Sequence, residues 1–308
     1  MIALERILCA IDLGPTSHSA LKCAVGIAAR FGAELYTVHV RAENQRVGPW
    51  FFWSRADEVE RLMADHNLAR ELETIVDDAR TVATTRVSHG VPSTAILDYS
   101  RECASDLIVL GQSASALRGR LSGDLATKAA CAVLTVPDTI ASPMERILLP
   151  VDFSSATPIA EEWAILLARR CASSVHVIHA LPSKPREAAR ETHQRVTKAT
   201  LRLQALETRL RRAGVRADSA LVQNNTIDAI LARRESEDCD LVVLGVHEQG
   251  LSERHTRART VSAVRSQSAV PVLTIRAHPR DVPLMTLASM DFDAAARSGP
   301  AALVAASA

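Results

Sequence analysis

Aromatic residues, paired cysteines and long apolar runs are scarce in this sequence, and each shortage excludes a class of protein. Aromatic residues make up only 3% of the chain, so the core must be aliphatic. The six cysteines stand far apart without a C-x-x-C pair, which is typical of reduced, buried thiols rather than of disulfides or a zinc site. No apolar run is long enough to span a membrane, and the chain enters a predicted strand too early for a signal peptide. These shortages predict a cytoplasmic protein without a membrane partner.

An excess of one charge and the common signatures of catalysis are missing as well. The formal net charge is +1, which gives no indication of a nucleic-acid partner. The sequence has no G-x-S-x-G turn, no H-E-x-x-H pair, no P-loop and no G-x-G-x-x-G after the first strand. We therefore predict no catalytic residue and no metal ligand.

One short segment occurs twice and organises the chain. Asp106–Gly111 reads DLIVLG, and Asp240–Gly245 reads DLVVLG. Branched apolar runs of this length are typical of strands that are buried on both faces of a parallel sheet. The closing glycine lets the backbone turn sharply at the carboxyl end of the strand, where open α/β sheets bind their ligands. Two copies predict two similar domains.

The other predicted elements repeat around this segment in the same order. Each half begins with a strand, Arg6–Ile11 or Arg146–Val151, that is followed by an aspartate. A helix, a second strand, a long helix and a third strand come next. The long helix is predicted over Ser54–Ala79 in the first half and over Glu187–Ala213 in the second. Strand and helix alternate throughout, which is typical of βαβ units.

This order defines the predicted fold class and the domain limits. The fold is α/β, with two tandem doubly wound five-stranded parallel-sheet (Rossmann-like) domains. The predicted domains span residues 1–138 and 144–277, with a linker at 139–143. The segment 278–308 is rich in Ala and Ser without periodicity, which predicts a disordered tail.

A cluster of aromatic residues interrupts the first half. Trp50–Trp53 reads WFFW beside Gly48-Pro49 in a chain that is otherwise poor in aromatic residues. One interpretation is a loop that covers the core of its own domain. The other is a hydrophobic contact with the second half, with a second chain or with a protein partner.

These segments, repeated twice in one order, resemble the universal stress protein family in its tandem two-domain form. The resemblance covers about residues 1–277 and rests on the first strands, the repeated DLIVLG/DLVVLG strands and the endings Ala132–Pro137 and Val270–Ile275. It implies a cytoplasmic stress-response protein, often dimeric, whose relatives fall into ATP-binding and non-binding groups. It also implies that the last strands, Ala132–Val136 and Val270–Ile275, pair with each other and make the chain a pseudo-dimer.

The resemblance implies a sequence motif for the ATP-binding members of the family. It consists of Gly-x-x-Gly, then nine residues, then Gly-Ser/Thr, and it starts at the glycine that ends the fourth strand. Glycines let backbone N–H groups approach phosphates, and a hydroxyl at a helix N-terminus donates to them. In the first half Gly111 is present, Ala114 replaces the second glycine, and Gly123-Asp124 takes the place of the closing pair, one residue early. At a helix N-cap the Asp124 carboxylate would occupy the N–H groups that a phosphate needs.

The second half departs from the same pattern in other ways. Gly245 is present, but Glu248 replaces the second glycine and Ala258-Arg259 replaces Gly-Ser. Cations could hold an anion there in place of backbone amides, and the alternative is a solvated basic surface. These basic residues are Arg254, His255, Arg257 and Arg259, with Arg265 beyond.

The prediction for the site therefore combines the resemblance with these departures. By resemblance, the aspartate after each first strand lies near the adenine and ribose. The nucleotide-binding candidates are Asp12, Val40, Gly111, Gly123, Asp152, Gly245, Arg257 and Arg259. His39 and His179, at the ends of the second strands, are interpreted as packed, hydrogen-bonded histidines.

Three functions stay open at this point. The first is a non-catalytic, regulatory stress-response protein whose nucleotide sites have decayed and which requires no cofactor. The second is a sensor that binds ATP or AMP, with Mg, through an altered phosphate grip. The third is a slow ATP hydrolase. A homodimer or a protein partner is compatible with each of them.

Overall fold

The strands of both halves join in one ten-stranded sheet. The structure is a computed structural model that describes residues 2–12, 15–41, 66, 83–112, 116–138, 144–182, 188–246 and 251–276. The first half contributes β1 (Arg6–Ile11), β2 (Glu34–Arg41), β3 (Ala83–His89), β4 (Leu107–Gly111) and β5 (Ala132–Val136). The second half contributes β6 (Arg146–Pro150), β7 (Ser174–Ala180), β8 (Arg216–Val222), β9 (Leu241–Val246) and β10 (Val272–Arg276). Their order across the sheet is β3-β2-β1-β4-β5-β10-β9-β6-β7-β8.

Helices connect the strands in both halves. The described helices of the first half are α1 (Pro15–Phe31), α2 (Pro92–Glu102) and α3 (Ala116–Lys128). Those of the second half are α4 (Thr157–Cys171), α5 (Ala189–Arg212), α6 (Thr226–Ser236) and α7 (Leu251–Gln267). The alternation of helix and parallel strand confirms the predicted fold class. The predicted helix Ser54–Ala79, apart from His66, and Trp50–Trp53, the linker 139–143 and the tail 278–308 lie outside the described residues.

The two halves meet through their last strands, as predicted. β5 and β10 are antiparallel, with Leu134 opposite Leu273 and Thr135 opposite Val272, whereas all other neighbouring strands are parallel. This pairing satisfies the backbone groups of two strands that would otherwise be sheet edges. The predicted pairing within the chain is confirmed.

The core is continuous on one face of the sheet and divided on the other. One cluster of buried residues spans both halves and includes Ala24 of α1, Trp163 of α4 and Leu206 of α5. On the opposite face, one smaller cluster belongs to the first half and another to the second. Among the described residues, no helix combines the length and the apolarity that crossing a membrane requires.

The acid that opens each repeated segment holds the start of the first strand of its half. The Asp106 carboxylate accepts hydrogen bonds from the backbone N–H groups of Glu5 and Arg6 at 2.8 and 2.9 Å. The Asp240 carboxylate accepts the equivalent pair from Glu145 and Arg146 at 2.7 and 3.0 Å. Hydrogen bonds to a charged acceptor are stronger than neutral ones. The repeated aspartates therefore have a structural role that needs no ligand.

Candidate functional site

Each half has a cleft at the carboxyl ends of its first and fourth strands. These two strands are neighbours in the sheet, but the chain continues from the first strand toward one edge of the sheet and from the fourth strand toward the other edge. Doubly wound sheets bind ligands in the crevice at such a point. The first cleft has a volume of about 190 Å³ and is lined by residues that include Asp12, Ser17, Val40 and Gly111. The second cleft has a volume of about 240 Å³ and is lined by residues that include Asp152, Thr157, His179, Gly245 and Thr260.

Five of the eight predicted nucleotide-binding residues line these clefts. Asp12, Val40 and Gly111 come together in the first cleft, and Asp152 and Gly245 in the second. Of the others, Gly123 and Arg259 are not among the lining residues that the structure describes. Arg259 is exposed on α7 directly before Thr260, whereas the side chain of Arg257 lies outside the described part of the chain.

The two aspartates are held differently. The backbone N–H of Asp12 donates to Ser17 Oγ at 2.8 Å, and the Ser17 hydroxyl donates in turn to the Asp12 carboxylate. In the second half, Asp152 Oδ1 accepts from the backbone N–H of Ser154 at 2.9 Å, which closes a turn before α4. Both aspartates are exposed at the rim of their clefts.

Two histidines are anchored in the same way in both halves. His39 Nδ1 lies 2.8 Å from the carbonyl oxygen of Ile11, and His179 Nδ1 lies 2.7 Å from that of Val151. Each histidine therefore donates to the end of the first strand of its half, which confirms the interpretation of packed, hydrogen-bonded histidines. Burial lowers the pKa of His179, although the bond to Val151 opposes this effect.

Gly245 is required by the packing of the second half. A Cβ at this position would lie 2.9 Å from the carbonyl oxygen of Ala156 and 3.0 Å from its Cβ. Ala156 directly precedes α4, so the end of β9 and the start of that helix approach closely only because residue 245 has no side chain. This glycine is explained without reference to phosphate binding.

The expectation that Asp124 caps a helix N-terminus is wrong. α3 begins at Ala116, so Asp124 lies two turns inside the helix. Its carboxylate is 3.3 Å from Nζ of Lys128, one turn further along an exposed face. Asp124 therefore does not occupy the N–H groups at the start of the helix.

Gly123 and Arg265 belong to the contact between the halves. Arg265 is only 5% exposed, and its Nη1 donates to the carbonyl oxygen of Ser122 at 3.0 Å. Its Nη2 lies 3.6 Å from the position of a Cβ on Gly123. Burial lowers the pKa of Arg265. The expectation that Arg265 extends the basic anion-binding loop is wrong, because this side chain is buried against α3.

Strand registers identify which residues of the two last helices are equivalent. Val133 pairs with Ile108 in the first half, and Val272 pairs with Val242 in the second, in each case three residues before the glycine of the repeated segment. Val133 and Val272 are therefore equivalent. Eight residues before each of them, Leu125 and Val264 are both 0% exposed, which supports the same alignment of α3 and α7.

This alignment identifies a pair that sequence reasoning missed. Thirteen residues before Val133 and Val272 stand Arg120 and Arg259, so the equivalent of Ala258-Arg259 is Gly119-Arg120 rather than Gly123-Asp124. A signal was available, because the sequence reads RGR at 118–120 and RAR at 257–259. The loop before α3 is shorter than the loop of the family motif. Counting from Gly111 with the family spacing therefore led to Gly123-Asp124 instead of Gly119-Arg120.

The clefts differ most in their hydroxyl groups. Thr157, Thr226 and Thr260 line the second cleft. The equivalent positions of the first cleft hold Ser17, Pro92 and Leu121. Within the described ranges, no group of three or more His, Cys, Asp or Glu side chains could hold a metal ion.

Comparisons with known proteins agree with this architecture. The chain is similar to a universal stress protein from Archaeoglobus fulgidus DSM 4304, with a TM-score of 0.70 and 18% identity over 91% of this chain and 98% of that one. It is also similar to a protein of Pseudomonas aeruginosa UCBPP-PA14 described as a putative universal stress protein, with a TM-score of 0.60 and 19% identity over 89% and 94% of the chains. At these identities the likeness concerns the fold alone, and no curated protein matches the chain.

The family itself follows from a match to both halves. The model of the universal stress protein family matches residues 3–137 and again residues 144–276. These ranges contain both clefts and all ten strands. The chain therefore belongs to the universal stress protein family, as a tandem of two family domains.

Proposed function

We propose that the protein is a non-catalytic stress-response protein that binds an adenine nucleotide in its second cleft. The observation that carries the proposal is the lining of this cleft, where apolar walls are combined with a carboxylate, an imidazole and three hydroxyl groups. Binding sites for small molecules are typically apolar with a few polar groups at fixed positions. We propose a binding site rather than an active site because the imidazole and the carboxylate of the cleft already serve the local structure: His179 Nδ1 donates to the carbonyl oxygen of Val151, and Asp152 Oδ1 accepts from the backbone N–H of Ser154.

Each part of the lining suits one part of a nucleotide. Ile178 and Leu244 are buried and provide apolar surface for a flat base. The exposed Asp152 carboxylate can accept hydrogen bonds from N–H or O–H groups of the base or the ribose. Thr157 and Thr226 are the first residues of α4 and α6, and their hydroxyl groups can donate to a phosphate, whereas the backbone N–H of Thr157 already donates to the carbonyl oxygen of Ser154.

The phosphate grip differs from the glycine pattern of ATP-binding relatives. Ala258-Arg259 stands where those relatives have Gly-Ser, so a cationic side chain is available in place of a hydroxyl. Arg259 is exposed and adjacent to Thr260, which lines the cleft. With ATP, Mg²⁺ would be held by the phosphates rather than by protein carboxylates, as is common for this ion.

Titration calorimetry with ATP·Mg and with AMP tests the proposal, after any co-purified nucleotide has been removed and identified. We expect a dissociation constant below about 100 μM, which corresponds to about 5.5 kcal/mol. Asp152→Asn should weaken binding about tenfold through the lost charge on a hydrogen-bond acceptor. Asp124→Asn removes the same charge from the exposed face of α3 and should leave binding unchanged.

A second function is favoured by the departures from the glycine pattern. If the nucleotide sites have decayed, the protein acts as an interaction module through its surface alone. The absence of heat with both nucleotides, together with the absence of co-purified nucleotide, would support this function and exclude the first.

A further inference from the structure

A further pocket lies between the two halves, at the amino ends of β1, β4 and β5. It has a volume of about 430 Å³, within the range of about 300–1,000 Å³ that is typical of small-molecule sites. The second half completes the pocket with α4 and the end of β10. We infer that this pocket between the halves binds a free amino acid with an apolar side chain. The inference goes beyond the proposed function, because no described residue lines both this pocket and the nucleotide cleft.

Trp163 of α4 provides a hydrogen-bond donor in this pocket. The side chain is 5% exposed, and its indole N–H makes no hydrogen bond with a described residue. A buried indole N–H usually has a partner, and a buried donor without one costs free energy. Because Trp163 lines the pocket, a ligand with an acceptor group can supply this partner.

Two carboxylates in the lining suit an ammonium group. Asp106 Oδ2 accepts both backbone N–H groups at the start of β1, and Oδ1 accepts no hydrogen bond from a described residue. Glu162, which directly precedes Trp163, is exposed and forms no ion pair within the described ranges. An ammonium group carries three N–H donors and no acceptor, so it matches acceptors of this kind. The two acids therefore favour a ligand with a primary amine.

Arg276 at the end of β10 supplies a group for the opposite charge. Its guanidinium carries five N–H donors in a planar fork, so it can bind a ligand carboxylate in addition to its contacts within the protein. The apolar part of the lining includes Ile2, Ile159 and Ile275. An ammonium group, a carboxylate and an apolar side chain together make up an amino acid of the inferred class.

The equivalent place on the other side of the contact between β5 and β10 has different chemistry. Strand registers place Lys22 and Cys23 of α1 at the positions of Glu162 and Trp163 of α4. In the same alignment of the halves, Pro137 takes the place of the arginine. The glutamate, the indole and the guanidinium thus have no counterpart at these positions, which indicates a specialised site rather than a general feature of the fold.

Titration calorimetry of the full chain with L-leucine tests this inference. We expect saturable binding of one L-leucine per chain. Isoamylamine lacks the carboxylate and isocaproate lacks the ammonium group, so each should bind at least tenfold more weakly, because each leaves a charged group of the pocket without its partner. If either analogue binds as tightly as L-leucine, or if L-leucine does not bind, the inference is wrong.

Matched substitutions locate the binding site. Glu162→Gln should weaken L-leucine binding about tenfold. Lys22→Gln changes the equivalent exposed position of α1 and should leave the affinity unchanged within twofold. Trp163→Phe keeps an aromatic ring, removes the N–H donor and should weaken binding about fivefold, with thermal unfolding as the check that this variant is folded. An equal affinity of the Glu162→Gln and Lys22→Gln variants would overturn the assignment.

The outcomes also separate this inference from the proposed function. L-leucine binding without any AMP binding would support the pocket between the halves and contradict the proposed function. AMP binding without L-leucine binding would support the proposed function and contradict the inference.

Discussion

The first and second halves share their structural residues and differ in the residues that face a ligand. Each half fixes its first strand through an aspartate that accepts from two backbone N–H groups, and each anchors a histidine on the end of that strand. At the clefts, in contrast, Pro92 and Leu121 of the first half stand at the positions that Thr226 and Thr260 occupy in the second half. The shared features serve folding, so they remain in both copies whether or not a ligand binds. The differing features are those that can separate two functions.

The close approach at Gly245 gives the largest expected effect. Gly245→Val should destabilise the protein by about 3 kcal/mol, because the new side chain would collide with the backbone of Ala156. Gly26→Ala in α1 is the control, since nothing lies within 4 Å of its Cβ position. That change should stabilise the protein by about 0.5–1 kcal/mol. Denaturant unfolding measures both, and an equal effect would contradict the structural role of Gly245.

The repeated aspartates test whether the two halves are stabilised alike. Asp106→Ala and Asp240→Ala should each cost about 2 kcal/mol, because each leaves two backbone N–H groups without their charged acceptor. Chemical denaturation of both variants gives the comparison. A cost confined to one half would show that β1 and β6 are not held equivalently at their starts.

The contact between the halves should respond to the shape of residue 265. Arg265→Ala removes the donor to Ser122 and leaves a void, at a cost of about 1–2 kcal/mol. Arg265→Met keeps most of the volume and avoids burying a charge, so it should cost less. Differential scanning calorimetry distinguishes them. A greater loss with Met than with Ala would contradict the packing of this side chain against α3.

The smallest expected effect concerns pH. The pKa of His179 is lowered from its usual value of 6.5 by burial, so the unfolded chain binds a proton at a higher pH than the folded one. Stability is then complete above pH 6.5 and decreases as the pH falls below it toward the folded pKa. His179→Asn should reduce this dependence when unfolding is followed between about pH 7 and pH 5. An unchanged profile would show that another group is responsible.

The sequence predicted the sheet well because the signals for its strands are local and occur twice. The apolar runs before Gly111 and Gly245 define central strands, and the resemblance to the universal stress protein family implied the pairing of Ala132–Val136 with Val270–Ile275. The start of α3 was not predictable in this way. Because the loop before α3 is short, counting from Gly111 led to Gly123, and only the strand registers identified Gly119-Arg120 as the equivalent of Ala258-Arg259.

The positions of some residues that line the candidate clefts could also be predicted from local signals in the sequence. Asp12 and Asp152 follow predicted strands directly, so their place at the edge of the sheet follows from the strand itself. The burial of Arg265 depends on contact with Ser122, which lies 143 residues away and gives no signal in the sequence around residue 265. Long-range packing of this kind decides which cations remain available to a ligand.

The most direct test of the account is the number of AMP molecules that one chain binds. Calorimetry of the nucleotide-free protein should give one AMP per chain, with the affinity reduced about tenfold by Asp152→Asn and unchanged within twofold by Asp12→Asn. Two equivalent AMP sites per chain would contradict the division between the clefts. If Asp12→Asn weakens AMP binding and Asp152→Asn does not, the nucleotide binds in the first half, which would contradict the account.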